Sequence, residues 1–501
     1  MAGKEPVEAI QLLELGRGII ADSHNDMRAD VSDLSQQYPQ IAREYIDLRD
    51  QLESQTDEAH DRIDQLSDTP KLTTYSGGQR YNLGQKLEEK IQLIREIPGF
   101  DRFLLPPTQE EFKAAAVGGP IVAINVSKYS CDALIIQDTS LRALHLPRLR
   151  SEDIRARAGA LAGSELLGPD MLEWLWETVA GPVLDALGFL ETPTTGDWPR
   201  IWWIPTGFLA RFPIHTAGRH SSGSSDTVLD RAISSYSSSI KALIHSRQDR
   251  RGTIRTPPGS DSVVLLGMEK TPGHSTLPLV AQEIQQLERL FHTSKQLLRI
   301  RQPRPFRKDV LVAVRDCKIF HFAGHGLSDP LDPSRSALLL SDEPLTVASL
   351  FETNLHSRKP FLAYLSACST GQVKHDELLD EGLHMIGACQ LAGFRHVVGT
   401  LWEVNDKSCV DVAVMTYEWM QKRDMSDESV SEGLHHACRK LRGQWIEENA
   451  VRAAVSRGDR QGQKLGAHQP HLPHGNLGEA RDVEAVDDVP LYWVPYVHFG
   501  I

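Results

Sequence analysis

Apolar residues in the first hundred positions recur at the intervals that line one face of a helix. Three such sets occur: Ile10, Leu13 and Ile20; Ile41, Tyr45, Leu48 and Leu52; and Leu87, Ile91 and Ile94. Pro98-Gly99 then predicts the end of the last helix. Although no internal repeat of fixed period is visible, the pattern predicts an all-helical region over residues 1–115 that resembles the remnant of a repeat array.

The hydrophobic period then changes to two, which is typical of β-strands. The predicted strands are Ile121–Val126, Cys131–Ile136, residues 141–146 and, after a helical stretch at 169–187, residues 201–204. Residues 116–164 are therefore predicted to be a strand-rich connecting segment. The Ser-Gly cluster at 221–225 predicts a loop.

Strands and helices alternate from Val263 onward. The predicted strands are residues 263–266, 318–322, 337–340, 361–366, 396–401 and 496–499, and the helices between them include 280–291, 378–392 and 408–421. This alternation is typical of an α/β fold with a mostly parallel sheet that helices cover. Residues 453–488 are polar and Gly-rich, which predicts a disordered insertion, and a translated intron stays equally open.

Composition narrows the functional classes. The 501 residues favour two to four domains. The formal charge is −13, and without a Lys/Arg-rich block we expect no binding to nucleic acid. No apolar run approaches the roughly 18 residues that a membrane span needs. Six scattered cysteines without a C-x-x-C pair favour reduced thiols over disulfides or structural zinc. With no apolar signal core after Met1, we expect a cytoplasmic protein, with the nucleus left open, that needs no metal or cofactor.

Two turns of small residues carry the candidate chemistry. The strand at 318–322 runs into Ala323-Gly324-His325-Gly326, and the strand at 361–366 runs into Ala367-Cys368-Ser369-Thr370-Gly371. Ligands bind outside the carboxyl ends of strands in open α/β sheets, so His325 and Cys368 both arrive at such a position. A His about 50 residues before a nucleophilic Cys is the order found in caspase-type enzymes.

This pair suits the cleavage of peptide bonds. A cysteine attacks as its thiolate, and a neighbouring imidazole both favours that form and protonates the leaving amine. The small residues after Cys368 leave its amide free to face the site. Together with the amide of Gly326 it can form an oxyanion hole, in which each donor contributes about 3–4 kcal/mol in known enzymes.

Six segments together resemble the CHAT domain, a caspase-like family of cysteine peptidases that is related to separase and often fused to tetratricopeptide repeats. The segments are residues 321–326 (HFAGHG), 365–371 (LSACSTG), 398–406 (VGTLWEVND), 204–207 (IPTG), 212–218 (FPIHTAG) and 493–500 (WVPYVHFG). The resemblance covers about residues 165–501. Gly324 stands where many members have Cys, at a position without a catalytic role, and the insertion at 453–488 is a second departure.

The resemblance implies a caspase-like cysteine endopeptidase in which His325 is the general acid and base and Cys368 is the nucleophile. In the separase relatives, an acidic residue after the Leu-Trp strand receives the basic side chain at P1, the residue before the cut. Asp406 aligns best with that position and Glu403 second. Since a carboxylate is a suitable partner for Arg or Lys, the resemblance implies cleavage after basic residues.

Several residues have simpler explanations. The cysteines at 131, 317, 389, 409 and 438 are expected to fill the core. His321 and His325 are not expected to bind zinc, because no Glu follows His321 and the segment is predicted to be a strand. His215 is expected to pack in the interior. For Asp406, capping of a helix that begins at Lys407 and binding of substrate stay equally open.

The same motifs bear on other possible functions of the chain. An acyl hydrolase is excluded because a nucleophile elbow has glycines where this chain has Ser366 and Thr370. A catalytically silent scaffold that works through the N-terminal helices stays open, as does a fragment of a longer repeat protein. For the peptidase we expect a protein or peptide substrate, with a regulatory protein partner at the N-terminal helices.

Overall fold

The chain divides into two compact units, residues 19–107 and residues 1–18 together with 108–501. The computed structural model of the protein describes residues 5–15, 34–35, 37–49, 51, 76–162, 168–194, 196–248, 261–293, 298–329, 332–353, 355, 358–372, 379–380, 384–462 and 491–501. Helix α1 (Pro6–Leu15) belongs to the larger unit.

The smaller unit is helical where it is described. It contains α2, over residues 39–49, and α3 (Ser76–Arg95). Its buried core consists of Leu34, Ala42, Tyr45, Ile94, Phe100 and Phe103. An ion pair between Lys90 Nζ and Glu44 Oε2, 2.6 Å apart, joins the two helices. The helices predicted around positions 41–48 and 87–94 are thus confirmed, while Ile20 lies outside the described residues.

Eleven described strands of the larger unit form one sheet in the order β3-β2-β1-β4-β5-β14-β13-β12-β8-β6-β7, and three short ones form a second sheet in the order β11-β10-β9. Their bounds are β1 (Ile121–Val126), β2 (Cys131–Ile136), β3 (Leu141–His145), β4 (Arg200–Pro205), β5 (Ile233–Tyr236), β6 (Ser262–Gly267), β7 (Arg299–Arg301), β8 (Ile319–Ala323), β9 (Gly326–Leu327), β10 (Ala337–Leu338), β11 (Leu345–Thr346), β12 (Leu362–Ser366), β13 (His396–Thr400) and β14 (Tyr496–Gly500).

Helices connect these strands and cover both faces of the sheet. They are α4 (Gln109–Ala115), α5 (Ser151–Ala162), α6 (Pro169–Leu175), continued through a π turn (Trp176–Ala180) into α7 (Gly181–Leu187), α8 (Val228–Arg231), α9 (Ile240–Gln248), α10 (Val280–His292), α11 (Arg307–Arg315), α12 (Val347–Thr353), α13 (Met385–Ala392), α14 (Asp406–Lys422) and α15 (Asp427–Gly462). Two 3₁₀ turns, Gly207–Arg211 and Ile214–Thr216, follow β4.

Nine strands of the large sheet form two parallel blocks that meet at an antiparallel junction, and β2 and β3 extend the sheet beyond β1 as antiparallel strands. Strands β6, β7, β8, β12 and β13 are mutually parallel, and so are β1, β4, β5 and β14. The junction is the antiparallel pair β13–β14, with Val398 opposite His498. Because β8 and β12 belong to the same block, their carboxyl ends lie at the same edge.

Alternate side chains of each central strand enter different cores. Val263 and Leu265 of β6 pack under α10, α14 and α15, whereas Val264 and Leu266 pack on the opposite face. Strands covered on both faces have apolar residues on both sides of the pleat. The continuous apolar runs in the sequence reflect this double coverage.

The predicted α/β class with a mostly parallel sheet is confirmed, and most predicted elements agree with the structure to within two residues. The strand predicted at 337–340 ends at Leu338, inside the small second sheet. The helix predicted at 378–392 is described from Met385 onward. Strands β1–β3, from the segment predicted at 116–164, pair into the same sheet as the candidate site. Helix α15 continues to Gly462, and the remainder of the insertion predicted at 453–488 lies outside the described residues.

None of the described helices is long and apolar enough to cross a bilayer.

A buried carboxylate ties α15 to the segment before β5. Asp230 accepts hydrogen bonds from both terminal nitrogens of Arg442, at 2.6 and 2.9 Å, and from Arg439 at 2.9 Å. Burial alone would raise the pKa of Asp230, but these guanidinium groups and the Thr227 hydroxyl outweigh it and hold the pKa at about 2. The ionised carboxylate is therefore strongly favoured in the folded protein.

Replacing Asp230 by Asn should lower the free energy of unfolding by about 3–5 kcal/mol at pH 7, because two guanidinium groups lose their partner. A carboxyl with a depressed pKa stabilises the fold above its ordinary pKa of 3.8 and loses that contribution as the pH falls to about 2. The difference between wild type and variant should therefore shrink across that window. Urea unfolding of wild type and variant at several pH values measures this difference in stability.

The half-exposed Asp226, which pairs with Arg231, is the control, and Asp226→Asn should change the free energy of unfolding by about 1 kcal/mol or less. Equal effects of both variants would contradict this assignment.

Candidate active site

The candidate site lies at the carboxyl ends of β8 and β12, which run side by side. Ala323 at the end of β8 pairs with Ser366 at the end of β12. The amide of Gly324 then donates to the carbonyl of Ser366 at 3.1 Å. His325 and Cys368 each follow the pairing residue of their own strand by two positions. The structure thus brings the two predicted catalytic residues to neighbouring strand ends.

A backbone carbonyl orients the imidazole of His325. Its Nε2 lies 2.9 Å from the carbonyl oxygen of Ser275, in the loop between β6 and α10. Because a carbonyl only accepts, Nε2 carries the proton of this hydrogen bond, and Nδ1 of the neutral ring is then the proton acceptor. The ring of His274 packs against that of His325, with the centroids 5.2 Å apart. An imidazole held in this tautomer can take a proton through Nδ1.

Cys368 opens a turn that is held against the end of β13. Ser369 has a φ of +56°, a left-handed conformation that is unfavourable for residues other than glycine. Its amide donates to the carbonyl of Trp402 at 3.4 Å, and the hydroxyl of Thr400 donates to the carbonyl of Ala367 at 2.7 Å. These bonds hold the strained turn and so fix the direction of Cys368.

Gly326 lies directly against the backbone of Cys368. A Cβ added at Gly326 would be 2.4 Å from the carbonyl oxygen of Cys368, a distance that no real side chain occupies. Glycine is therefore required for this close approach. The two residues whose amides are the predicted oxyanion donors are adjacent.

His321 belongs to a fully buried polar network beneath these turns. Its Nε2 lies 3.1 Å from Glu283 Oε1, and its Nδ1 lies 3.4 Å from the hydroxyl of Tyr417. The hydroxyl of Ser366 donates to Glu283 Oε2 at 3.2 Å. Both ring nitrogens of His321 are therefore engaged inside the protein. Among the described residues, no group of three His, Cys, Asp or Glu side chains is arranged to hold a metal ion.

The predicted site residues did not include Glu283 or the carbonyl of Ser275. One feature of the sequence could have indicated Glu283. It is a charged residue on the otherwise apolar face of α10 that includes Val280, Leu287 and Phe291. No feature of the sequence could have indicated Ser275, because it contributes a main-chain oxygen that every residue type offers.

The remaining cysteines are buried, as expected of core residues. Burial raises the pKa of Cys317 and Cys438 to about 12, and it also raises the pKa of Cys131 and Cys389. A thiol that stays protonated is a poor nucleophile. These four thiols therefore lack the property that a catalytic cysteine needs.

His215 is also enclosed. Its Nε2 lies 3.0 Å from the carbonyl of Val494, and its Nδ1 lies 2.9 Å from the hydroxyl of Tyr236. Burial lowers the pKa of His215 to about 4, so that it is neutral near pH 7. These contacts fit the packing role.

The two acidic residues considered for substrate binding follow β13 in different settings. Glu403 is exposed. Asp406 is only 5% exposed, and its Oδ2 accepts the amide of Leu279 at 3.0 Å. Helix α14 is capped by Asn405, whose side chain accepts the amide of Lys407 at 2.9 Å. The carboxylate of Asp406 thus bonds to a separate segment, and Asn405 supplies the cap.

A family model described as the CHAT domain matches residues 169–501. No curated protein sequence matches the chain. Among solved structures, the chain is similar to the complex of Porphyromonas gingivalis RgpB pro- and mature domains, with 12% identity over 55% of this chain and 71% of the other and a TM-score of 0.35. It is also similar to the Saccharomyces cerevisiae separase–securin complex, with 9% identity, coverage of 86% of this chain and 34% of the other, and a TM-score of 0.43. A third is the Arg specific cysteine proteinase gingipain R, with 10% identity over 54% and 69% of the two chains and a TM-score of 0.36. The chain thus spans about a third of the separase chain.

Replacing Gly326 by Ala should move the urea midpoint downward, with a loss of about 1–3 kcal/mol in the free energy of unfolding, because the new Cβ meets the Cys368 carbonyl. Gly159 of α5 is a matched control with no atom within 4 Å of an added Cβ. Gly159→Ala should stabilise the protein slightly, because alanine favours a helix. A Gly326→Ala variant as stable as wild type would mean that the two turns do not meet as described.

Proposed function

This chain belongs to the CHAT domain family, and we propose that it is a cysteine endopeptidase of the caspase-like class in which His325 and Cys368 cleave the peptide bonds of protein substrates. The observation that carries the proposal is the pairing of Ala323 with Ser366, which leads both turns out of the sheet at the same edge. The hydrogen bond from His325 Nε2 to the Ser275 carbonyl supports it further, because it leaves Nδ1 as the base.

The proposed reaction has two stages. Nδ1 of His325 takes the proton of the Cys368 thiol, and the thiolate attacks the carbonyl carbon of the substrate. The amides of Gly326 and Cys368 stabilise the oxyanion that forms. The imidazolium then protonates the leaving amine, which departs and leaves a thioester on Cys368. In the second stage His325 accepts a proton from water, the resulting hydroxide attacks the thioester, and the acid product and the free thiol are restored.

We further propose that the enzyme cleaves after basic residues. The turns after β12 and β13 lie together, since Ser369 donates to Trp402 and Gly371 donates to Thr400 at 2.8 Å. Glu403 directly follows Trp402 and is exposed, and a carboxylate is a suitable partner for Arg or Lys of a substrate. We assign the recognition of the basic side chain to Glu403, because Asp406 is buried and already accepts the amide of Leu279.

The substrate is proposed to be protein, and the helical unit of residues 19–107 is proposed to dock a regulatory protein partner. We propose a cytoplasmic location for the enzyme. A repeat-derived origin of the helical unit stays a prediction.

The test of the peptidase is a peptide library cut by the full chain under reducing conditions. Cys368→Ala should reduce cleavage to the uncatalysed background, and His325→Ala should lower kcat/KM by roughly 10²–10⁴. Cys131→Ala, which removes a buried thiol from β2, should leave the rate unchanged. An Arg-terminated acyloxymethyl ketone should label wild type but not Cys368→Ala. A wild-type protein that neither cuts nor is labelled, with or without partners, would favour the silent scaffold.

The basic preference is tested by comparing matched peptides with Arg or Leu before the cut. Glu403→Gln should lower the ratio of kcat/KM for Arg over Leu by about tenfold or more, because a hydrogen-bonded charge pair contributes about 1.5–3 kcal/mol. The Leu peptide should be cut at the wild-type rate. An unchanged ratio would remove Glu403 from substrate recognition.

A further inference from the structure

One loop holds the group that orients His325. We call residues 268–279, between β6 and α10, the orienting loop. Its Ser275 carbonyl accepts the hydrogen bond from His325 Nε2 at 2.9 Å, and its His274 packs against the same imidazole. The position of this loop therefore decides how the imidazole is aimed and which tautomer it adopts.

The start of the orienting loop is fixed by the sheet. Met268 donates its amide to the carbonyl of Ala323 at 2.7 Å, at the end of β8. The amide of Leu277 closes the loop on the carbonyl of Glu269 at 2.9 Å. Both bonds join main-chain groups, so neither depends on a particular side chain.

The far end of the loop is held by a side chain. Asp406 Oδ2 accepts the amide of Leu279 at 3.0 Å, four residues after Ser275. Leu279 is the N-cap position of α10 and has no side-chain cap of its own. A carboxylate at this place satisfies an open helix donor and interacts favourably with the positive end of the helix dipole. Asp406 thus supplies from α14 the cap that α10 lacks locally.

Helix α10 transmits this restraint rigidly. One turn into the helix, Glu283 is bonded to His321 of β8 and to Ser366 of β12. Further along, Phe291 packs edge-on against Tyr417 of α14, with the ring centroids 5.3 Å apart. With the helix fixed along its length, the contact at Leu279 sets where the orienting loop enters it.

We propose that Asp406 is a positioning residue that aims His325 by holding the orienting loop through the amide of Leu279. The inference rests on the proposed function, because an aimed imidazole matters only if His325 and Cys368 form a reactive pair. It differs from recognition of a basic substrate, since the group that Asp406 binds is a main-chain amide of this protein.

Two substitutions of Asp406 separate these roles. Asp406→Asn removes the charge but keeps an oxygen that accepts the Leu279 amide, and Asn is as good a capping residue as Asp. Asp406→Ala removes the acceptor. If Asp406 acts by positioning, Asn should retain wild-type behaviour and Ala should lose it for every substrate. If Asp406 binds a basic side chain, both variants should lose cleavage after Arg and Lys.

The experiment follows alkylation of Cys368 by iodoacetamide against pH, read by peptide mass spectrometry on the full chain. In wild type the pairing with His325 should hold the midpoint below the value of about 8.5 for a free thiol. His325→Ala should move the midpoint up to that value. Asp406→Ala should shift it in the same direction, and kcat should fall by up to about 100-fold with KM nearly unchanged, because a small misplacement of a reacting group can cost about that much in rate. Asp406→Asn should keep the wild-type midpoint, and so should the control Asp138→Asn, which changes an exposed carboxylate just after β2.

Hydrogen exchange of the peptide that spans residues 268–279 provides a second measurement. It should be faster in Asp406→Ala than in Asp406→Asn and wild type. If Asp406→Ala does not fold, a wild-type midpoint and exchange rate in Asp406→Asn support the proposal, and a shifted midpoint in that variant overturns it. A folded Asp406→Ala with the wild-type midpoint also overturns it. If wild type already matches His325→Ala, the reactive pair itself is absent, and the proposed function fails together with the inference.

Discussion

The parallel pairing of β8 with β12 is the constraint on which the candidate site depends. Ala323 opposite Ser366 fixes the level at which each strand leaves the sheet, and the following turns carry His325 and Cys368. A slip of one residue would turn every side chain of β12 to the other face. Ser366 would then lose its hydrogen bond to Glu283, and Cys368 would point away from α10 and the loop before it. The chemistry therefore rests on a register that the apolar core enforces on both faces.

The buried carboxylate of Glu283 makes that register specific. A fully buried carboxylate is unfavourable unless it is hydrogen-bonded, and its two oxygens are satisfied by His321 of β8 and Ser366 of β12. Apolar packing alone would tolerate small shifts between helix and strands, whereas these two bonds do not. We infer that the network holds α10, β8 and β12 in one arrangement. Its contribution is to geometry more than to net stability.

Much of the fold could be predicted from the sequence because doubly covered strands leave long apolar runs. Ile121–Val126 and Cys131–Ile136 match their predicted bounds, and α10 matches to within one residue. The order of strands in the sheet could not be predicted, since β1–β5 lie beyond the antiparallel strand β14, which comes from the end of the chain. Such a pairing depends on contacts that are distant in sequence, and the hydrophobic period carries no information about partners.

The candidate site, like the fold, has one part that could be predicted from the sequence and one part that could not. His325, Cys368 and Gly326 stand in turns whose small residues mark them, and local sequence was enough to single them out. The groups proposed to orient His325 are main-chain atoms, the Ser275 carbonyl and the Leu279 amide, and nearly every residue type offers such atoms. Asp406 could be singled out from the sequence, but its proposed role depends on a hydrogen bond with an amide 127 residues earlier in the chain. An acidic side chain near a catalytic turn therefore does not by itself indicate a substrate pocket. Its burial and its hydrogen-bond partner decide whether it can bind the substrate or instead positions other residues of the site.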